Sequence, residues 1–297
     1  MRSKIAPIIA VASSLCLFLF LAIAGRTTAL KKKSDASETN EASVVITDDV
    51  LLAGARSSLD SAQLQFVLEL DRKISTAKNT EEEVLILKLL SKTWNEYGNF
   101  SVGGYYAEKI AGRQNTAESW AIAGSTFGIA FNKEKTDLAL RKYLGNKSIQ
   151  AFQKAYTIEP DSFQHALNEA VMIVDVSMVD SKIPPMTGAQ KLLALDKKHP
   201  NQPLIQLHLG RLSFTRSGDI NKAIPRFEKV LELSKNQPVD QTLLLESHYS
   251  LAECYKKRTN KEKVIYHLQE CIKLSSANSE VQRQLKLSLE IFEKEGK

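Results

Sequence analysis

From residue 48 onward, apolar residues recur every three or four positions, in stretches separated by short polar breaks. This is the rhythm of amphipathic helices, which bury one stripe and expose the rest. Between Asp48 and Ala77 the stripe runs through Leu51, Leu52, Ala55, Leu59, Ala62, Leu64, Phe66, Val67, Leu70 and Ile74, with a break suggested near Ser57-Ser58. Residues 81–116 carry two more stripes. Leu87, Leu90, Ser91 and Trp94 make the first, and Gly103, Ala107 and Ile110 the second. Gly98 lies between them and suits a helix C-cap. The last stripe, in residues 279–297, carries Leu285, Leu287, Leu289, Ile291 and Phe292. With only 13 glycines and 8 prolines in 297 residues, the pattern predicts an all-α chain.

A second periodicity lies over the first. Ser91 and Gly103 are twelve residues apart, and so are Ala252 and Val264. Gly124 and Ser148 are 24 apart, which places twelve extra residues around Asn132–Asn146, either lengthening both helices or forming a loop. Gly210 and Ala223 are thirteen apart, one residue more at the turn. Small residues in one register over ~160 residues predict a stack of helical hairpins, whose backbones approach closely where no large side chain intervenes. Residues 163–202 form the weakest copy: Ala166, Ala170 and Ile173 on one helix, Gly188, Leu192 and Leu195 on the next, and six extra residues including Ile183-Pro184-Pro185-Met186 between them.

The clearest copy has Trp120, Ala123, Gly124 and Phe127 followed by Ser148, Phe152, Ala155 and Pro160. It resembles the tetratricopeptide repeat (TPR), whose helix A reads W-x2-L-G-x2-Y and whose helix B reads A-x3-F-x2-A-x4-P. Leu209, Gly210, Ala223 and Phe227 resemble it too. The resemblance implies a TPR-like α-solenoid of about five hairpins over residues 81–278. A lead-in helix (48–80) precedes them and a capping helix (279–297) closes the exposed apolar flank. Glu169 departs from the pattern, standing where the family has an apolar residue.

Residues 5–24, IAPIIAVASSLCLFLFLAIA, contain no charge. As a helix they would extend ~30 Å, enough to cross a bilayer core. Two readings compete: an uncleaved anchor within residues 1–30, and a signal peptide cut after Ala22-Ile23-Ala24. The length of the run favours the anchor. Residues 31–47 read as a flexible polar linker. Arg26 and Lys31–Lys33 behind the run would keep the following domain inside by the positive-inside rule. A short N-terminus before one anchor is the usual layout for export, and the expectation is a periplasmic domain on an inner (cytoplasmic) membrane.

Charge and chemistry remove several alternatives. Six of the 40 basic residues lie in residues 1–33, which hold no acid, so 34 basic face 34 acidic residues in the remainder. That neutral remainder shows no basic face for nucleic acid. Phosphate-binding glycine loops, zinc-binding H-E-x-x-H and C-x-x-C are all missing from the sequence. His165, His199, His208, His248 and His267 show no metal spacing. No cofactor, metal or catalytic residue is expected. Cys254 and Cys271 fall on two helices of one hairpin and read as buried thiols rather than a disulfide. Gly103-Gly104 reads as close packing rather than phosphate binding. Asn99-Phe100-Ser101 and Asn146-Lys147-Ser148 match the glycosylation pattern.

By helical spacing, the inner face of the first helix of each hairpin presents Lys88, Lys92, Asn95, Ser125, Gln164, Arg211, Phe214, Tyr249, Glu253 and Lys256. These are the expected contacts to a protein or peptide in a concave groove, with a solvated face as the alternative. The set lacks the Lys/Asn/Arg combination with which some TPR domains clamp a C-terminal carboxylate. The chain looks most like membrane-anchored TPR proteins of the bacterial envelope. That likeness implies a non-catalytic interaction scaffold, with an assembly factor for an envelope complex or for cytochrome maturation as the alternative. A hydrolase with an atypical site is the remaining reading, and only the insertion around 132–147 could house one.

Overall fold

The computed structural model describes residues 46–275 and 278–295. They form thirteen helices, and no strand is found among the described residues. The helices are α1 (Asp48–Ser57), α2 (Ser61–Ser75), α3 (Thr80–Glu96), α4 (Phe100–Gln114), α5 (Ala117–Lys133), α6 (Leu138–Ile158), α7 (Phe163–Val176), α8 (Pro185–Lys198), α9 (Pro203–Thr215), α10 (Ile220–Leu233), α11 (Gln241–Lys257), α12 (Lys261–Leu274) and α13 (Ser279–Glu295). The charge-free run 5–24 lies outside the described residues. Among the described residues, no helix is long and apolar enough to cross a membrane.

Local chemistry sets the helix starts. Asn79, Asn99, Asp137, Ser162, Asp219 and Asn260 each accept a backbone N–H of the following helix through their side chain. Such a bond satisfies a donor that would otherwise have no intrahelical partner. Asp60 and Gln63 cap α2 reciprocally, and the lead-in stretch is two helices divided after Ser57, at the break suggested near Ser57-Ser58. Thr47 already caps α1, so the polar linker ends there. Past α3 the chain turns at Gly98, whose φ of +80° strains any residue with a Cβ. The extra residues around 132–147 lengthen α5 and α6 and leave only a short turn between them.

The described chain divides into two compact units, one up to Lys191 and one from Leu192. In the first, hairpins α3/α4 and α5/α6 and helix α7 follow the lead-in helices, and the boundary falls within α8. One buried and one half-buried phenol tie the lead-in to the hairpins. Tyr106 donates to Asp71 at 2.6 Å, Arg56 reaches the other oxygen of Asp71 at 2.7 Å, and Tyr143 donates to Asp48. Burial, and then the adjacent carboxylate, push both phenols well above their ordinary pKa, so both remain donors. In the second unit, α9/α10 and α11/α12 share one core with Val281 and Leu285 of α13. Leu287 and Ile291 of α13 are exposed, at 51% and 47%, because the buried stripe runs through 281 and 285 instead.

The small-residue register marks helix crossings. The Ser91 hydroxyl donates to the Gly103 carbonyl at 2.9 Å, and Ser148 donates to the Gly124 carbonyl at 2.7 Å. Beside them a glycine sits under a phenylalanine ring. A Cβ added at Gly104 would lie 2.7 Å from Phe127, at Gly124 2.8 Å from Phe152, and at Gly210 2.6 Å from Phe227. Where the fifth hairpin has Leu268 in the ring's register place, Ala252 stands in the glycine's, and both are buried in the same cluster. Glycine admits the ring and alanine the smaller side chain, so volume is conserved across copies. Gly103-Gly104 is thus packing, as read. Asn99 and Asn146 of the two glycosylation patterns are engaged as a helix cap and with Asp180, respectively.

Glu169 is buried at 4% exposure and is paired. Lys191 of α8 reaches its two carboxylate oxygens at 3.0 and 3.1 Å. A lysine from the neighbouring helix offsets the polar residue in an apolar place. Cys254 and Cys271 are both buried free thiols, raised in pKa by burial first of all.

Candidate functional site

In the first unit, α3 turns a polar and apolar stripe away from the core. Leu85, Lys88, Leu89 and Lys92 are all exposed, Leu85 at 67% and Leu89 at 42%. The core side of α3 is taken by Val84, Leu87, Leu90 and Trp94, which fixes that outward stripe by the period of the helix. Beside the stripe lies a cleft of about 700 Å³. Its walls are Lys88, Ser91, Lys92, Asn95 and Glu96 of α3, Ala107, Ile110 and Gln114 of α4, and Thr116, Glu118, Ser119 and Ile122 around the start of α5.

The floor is built by the Ser91–Gly103 crossing. Asn95 lies one turn beyond Ser91, and its Oδ1 fills the place a Cβ on Gly103 would take, at 2.0 Å. That oxygen is buried and makes no hydrogen bond within the described chain. Ile110 and Ile122 supply apolar wall, Ile122 being 49% exposed. Thr116 and Ser119 are spent on each other as the α5 cap. Lys92 and Glu96 face each other at 3.6 Å in solvent, a pair that contributes little to stability. The charges on the cleft, Lys88, Lys92, Glu96 and Glu118, balance. Such a lining suits a segment of mixed charge with an apolar anchor; it holds no cluster of titratable groups converging on one point.

Of the ten residues expected on the inner face, Lys88, Lys92 and Asn95 meet in this cleft. Ser125 and Gln164 are exposed on α5 and α7 outside its lining, Gln164 donating to Asn168 at 2.7 Å. The other five lie in the second unit. Tyr249 corrects the expectation: it is 8% exposed and packs in the core cluster, because α11 is buried continuously from Leu245 to Ala252. Arg211 is half-buried and pairs with Glu246 at 3.2 Å. Phe214 is covered by the Lys257 ammonium, 4.2 Å from the ring centre. Glu253 is half-buried and its carboxyl is pushed up by burial, against the pull of Lys256 and Lys257. Only Lys256 is fully on the surface.

Sequence reasoning missed Gln114, Glu118 and Ile122. The signal was present for two of them: 118, 122 and 125 share one stripe of α5, and only Ser125 was taken from it. It also missed that His248 and His267 meet. Their Nδ1 atoms are 3.0 Å apart. His248 lies four residues before Ala252 and His267 three after Val264, so the crossing register would have paired them.

Neither a protein-family model nor a curated protein sequence matches the chain. In structure it is similar to the APC/C hetero-tetramer Cut9–Hcn1, with a TM-score of 0.53 and 15% identity, over 84% of this chain and 42% of that one. The chain has a TPR-like fold. It spans less than half of the Cut9–Hcn1 chain that it matches. It is also similar to MamA (41-end) from Desulfovibrio magneticus RS-1, with a TM-score of 0.44 and 13% identity over 66% of this chain and 97% of that one. YrrB, a TPR protein with an unusual peptide-binding site, gives a TM-score of 0.39 and 13% identity over 73% of this chain and 97% of that one.

Proposed function

We propose that this chain is a non-catalytic TPR-like scaffold that holds a segment of a partner protein in the α3/α4/α5 cleft. The observation that carries this reading is the cleft itself. Its volume of about 700 Å³ is of the size that encloses a few side chains, exposed Ile122 lines it, and exposed Leu85 and Leu89 share a stripe of α3 with its lining residues Lys88 and Lys92. An apolar side chain of the partner would rest between Ile110 and Ile122. Asn95 and Gln114 would meet its backbone, and Lys88 and Lys92 its acidic flank. We further propose that residues 5–24 hold the scaffold in the inner membrane with the helical units on the periplasmic side. The length of that charge-free run supports the anchor.

The test is site-specific photocrosslinking of the full chain in membranes. A photoreactive residue at Ile122 is expected to give one dominant partner band, and one at Glu290 in the second unit is expected to give none. Adding Lys92→Glu to a chain with the probe at Leu89 should lower the yield about tenfold, the effect of losing ~1.4 kcal/mol. The helical circular dichroism should not change. A yield at Leu89 that Lys92→Glu leaves untouched, or equal crosslinking at Glu290, would remove the cleft from the account.

A further inference from the structure

In the last hairpin, two imidazoles meet inside the core. His248 of α11 and His267 of α12 are 9% and 6% exposed, and their Nδ1 atoms face each other at 3.0 Å. A neutral imidazole carries one N–H, so one ring donates and the other accepts. The Tyr255 ring stacks on His267, with centroids 5.6 Å apart and planes within 5°. Tyr255 in turn donates its hydroxyl to Glu228 of α10 at 2.9 Å and accepts from Lys263 at 2.8 Å. The imidazole pair therefore joins the two helices of its own hairpin and, through Tyr255, touches the preceding one.

We propose that the His248–His267 pair is an acid-sensitive latch, closed while both rings are neutral and opened when both are protonated. A first proton can go to the outer nitrogen of the donating ring and leave the shared bond intact, at the cost of burying a charge. A second proton must go to the accepting Nδ1. Two N–H groups then face each other at hydrogen-bond distance and the contact breaks. A cleft of about 290 Å³ lined by Glu228, Glu232, Lys235, Lys263, Tyr266 and His267 gives the proton a route to the pair.

The surroundings favour the neutral state. Burial lowers His248, with Glu270 opposing and Lys273 adding to the effect. Burial lowers His267 to about 4, helped by His248 and Lys263 and opposed by Glu270. Glu270 is itself held by Lys273 at 2.5 Å. From α10 and the turn behind it the charged groups at the cleft are Glu228, Glu232 and Lys235, and from α13 the shared core receives apolar Val281 and Leu285. Both rings bind protons less readily folded than unfolded. The stabilisation from the latch is therefore complete above the ordinary histidine value of ~6.5 and is lost as pH falls below it.

The test is urea unfolding of the full chain in detergent, followed by circular dichroism between pH 7.5 and 4.5. Wild type should take up more protons on unfolding near pH 5 than the His248→Gln/His267→Gln variant does, read from the slope of stability against pH. His208, which burial and then Arg211 lower to about 3, is present in both proteins and cancels in the difference. Equal slopes would overturn the latch. Should the variant not fold, nitrogen-15 titration of the wild-type imidazoles decides. Both rings are expected to titrate below the ordinary histidine value, and a ring that titrates near 6.5 in the folded protein would overturn it.

Discussion

Phe227→Ala is expected to lower the stability of the second unit by about 3–5 kcal/mol, the range for removing a buried aromatic ring. Phe227 is fully buried, and its ring lies over Gly210, leaving no room for a Cβ. Gly210→Ala alone is expected to cost about 1–3 kcal/mol by overpacking, less the ~0.5–1 kcal/mol that alanine contributes in a helix. The informative result is the combination. Gly210→Ala with Phe227→Leu copies the Ala252 and Leu268 of the fifth hairpin, and the added methyl fills space that the ring vacates. Its loss should be smaller than the sum of the Gly210→Ala and Phe227→Leu losses, by about 1 kcal/mol or more, since residues in contact couple. Urea unfolding of the four proteins measures the cycle. Strict additivity would show that glycine and ring are not size-matched partners.

The second large effect concerns Glu169, and its sign depends on which partner is changed. Lys191→Ala leaves a carboxylate at 5% side-chain exposure without its ammonium. Breaking a fully buried pair costs about 3–5 kcal/mol. Lys191 is 41% exposed, so water partly replaces it, and about 2 kcal/mol is the expected loss. Glu169→Leu restores the apolar residue that the repeat pattern leads one to expect. It removes the desolvated charge altogether, so stability should be unchanged or raised by about 1–2 kcal/mol. Thermal unfolding of both variants separates the cases. A large loss in Glu169→Leu would mean that the carboxylate is needed for more than its pair with Lys191.

These two sites also show how far residue order alone could be read. Phe152 and Phe227 each follow the small residue of their helix, Ser148 and Ala223, by four positions, and Gly124 and Gly210 hold the matching place on the helix before, so the crossings of Gly124 with Phe152 and Gly210 with Phe227 could be inferred before any coordinates. Glu169 stood out as a misfit, but its lysine did not. Lys191 lies 22 positions away across an irregular turn, and no periodicity spans that turn. The cleft was partly visible: Lys88, Lys92 and Asn95 follow from one helical stripe. Gln114 and Glu118 come from two other helices, and only the packing angle between those helices brings them to the same wall. Tyr249 was misplaced for the opposite reason. Its spacing on α11 suits an outward face, yet that helix is enclosed along most of its length, so helical period no longer separates inside from outside.

What the order of residues determined by itself is local: helical period, caps such as Asn79 and Asp60, the turn at Gly98, and the small residues that allow close crossings. Each depends on atoms within a few positions of one another, so neighbouring residues suffice to specify it. What only the tertiary structure decided is which faces are covered and which distant groups meet: the buried ring of Tyr249, the Lys191–Glu169 pair, the contact of His248 with His267, and the walls of the cleft. Those depend on how one helix is rotated and tilted against the next. That geometry is settled by the summed packing of many side chains, and no single stretch of chain encodes it.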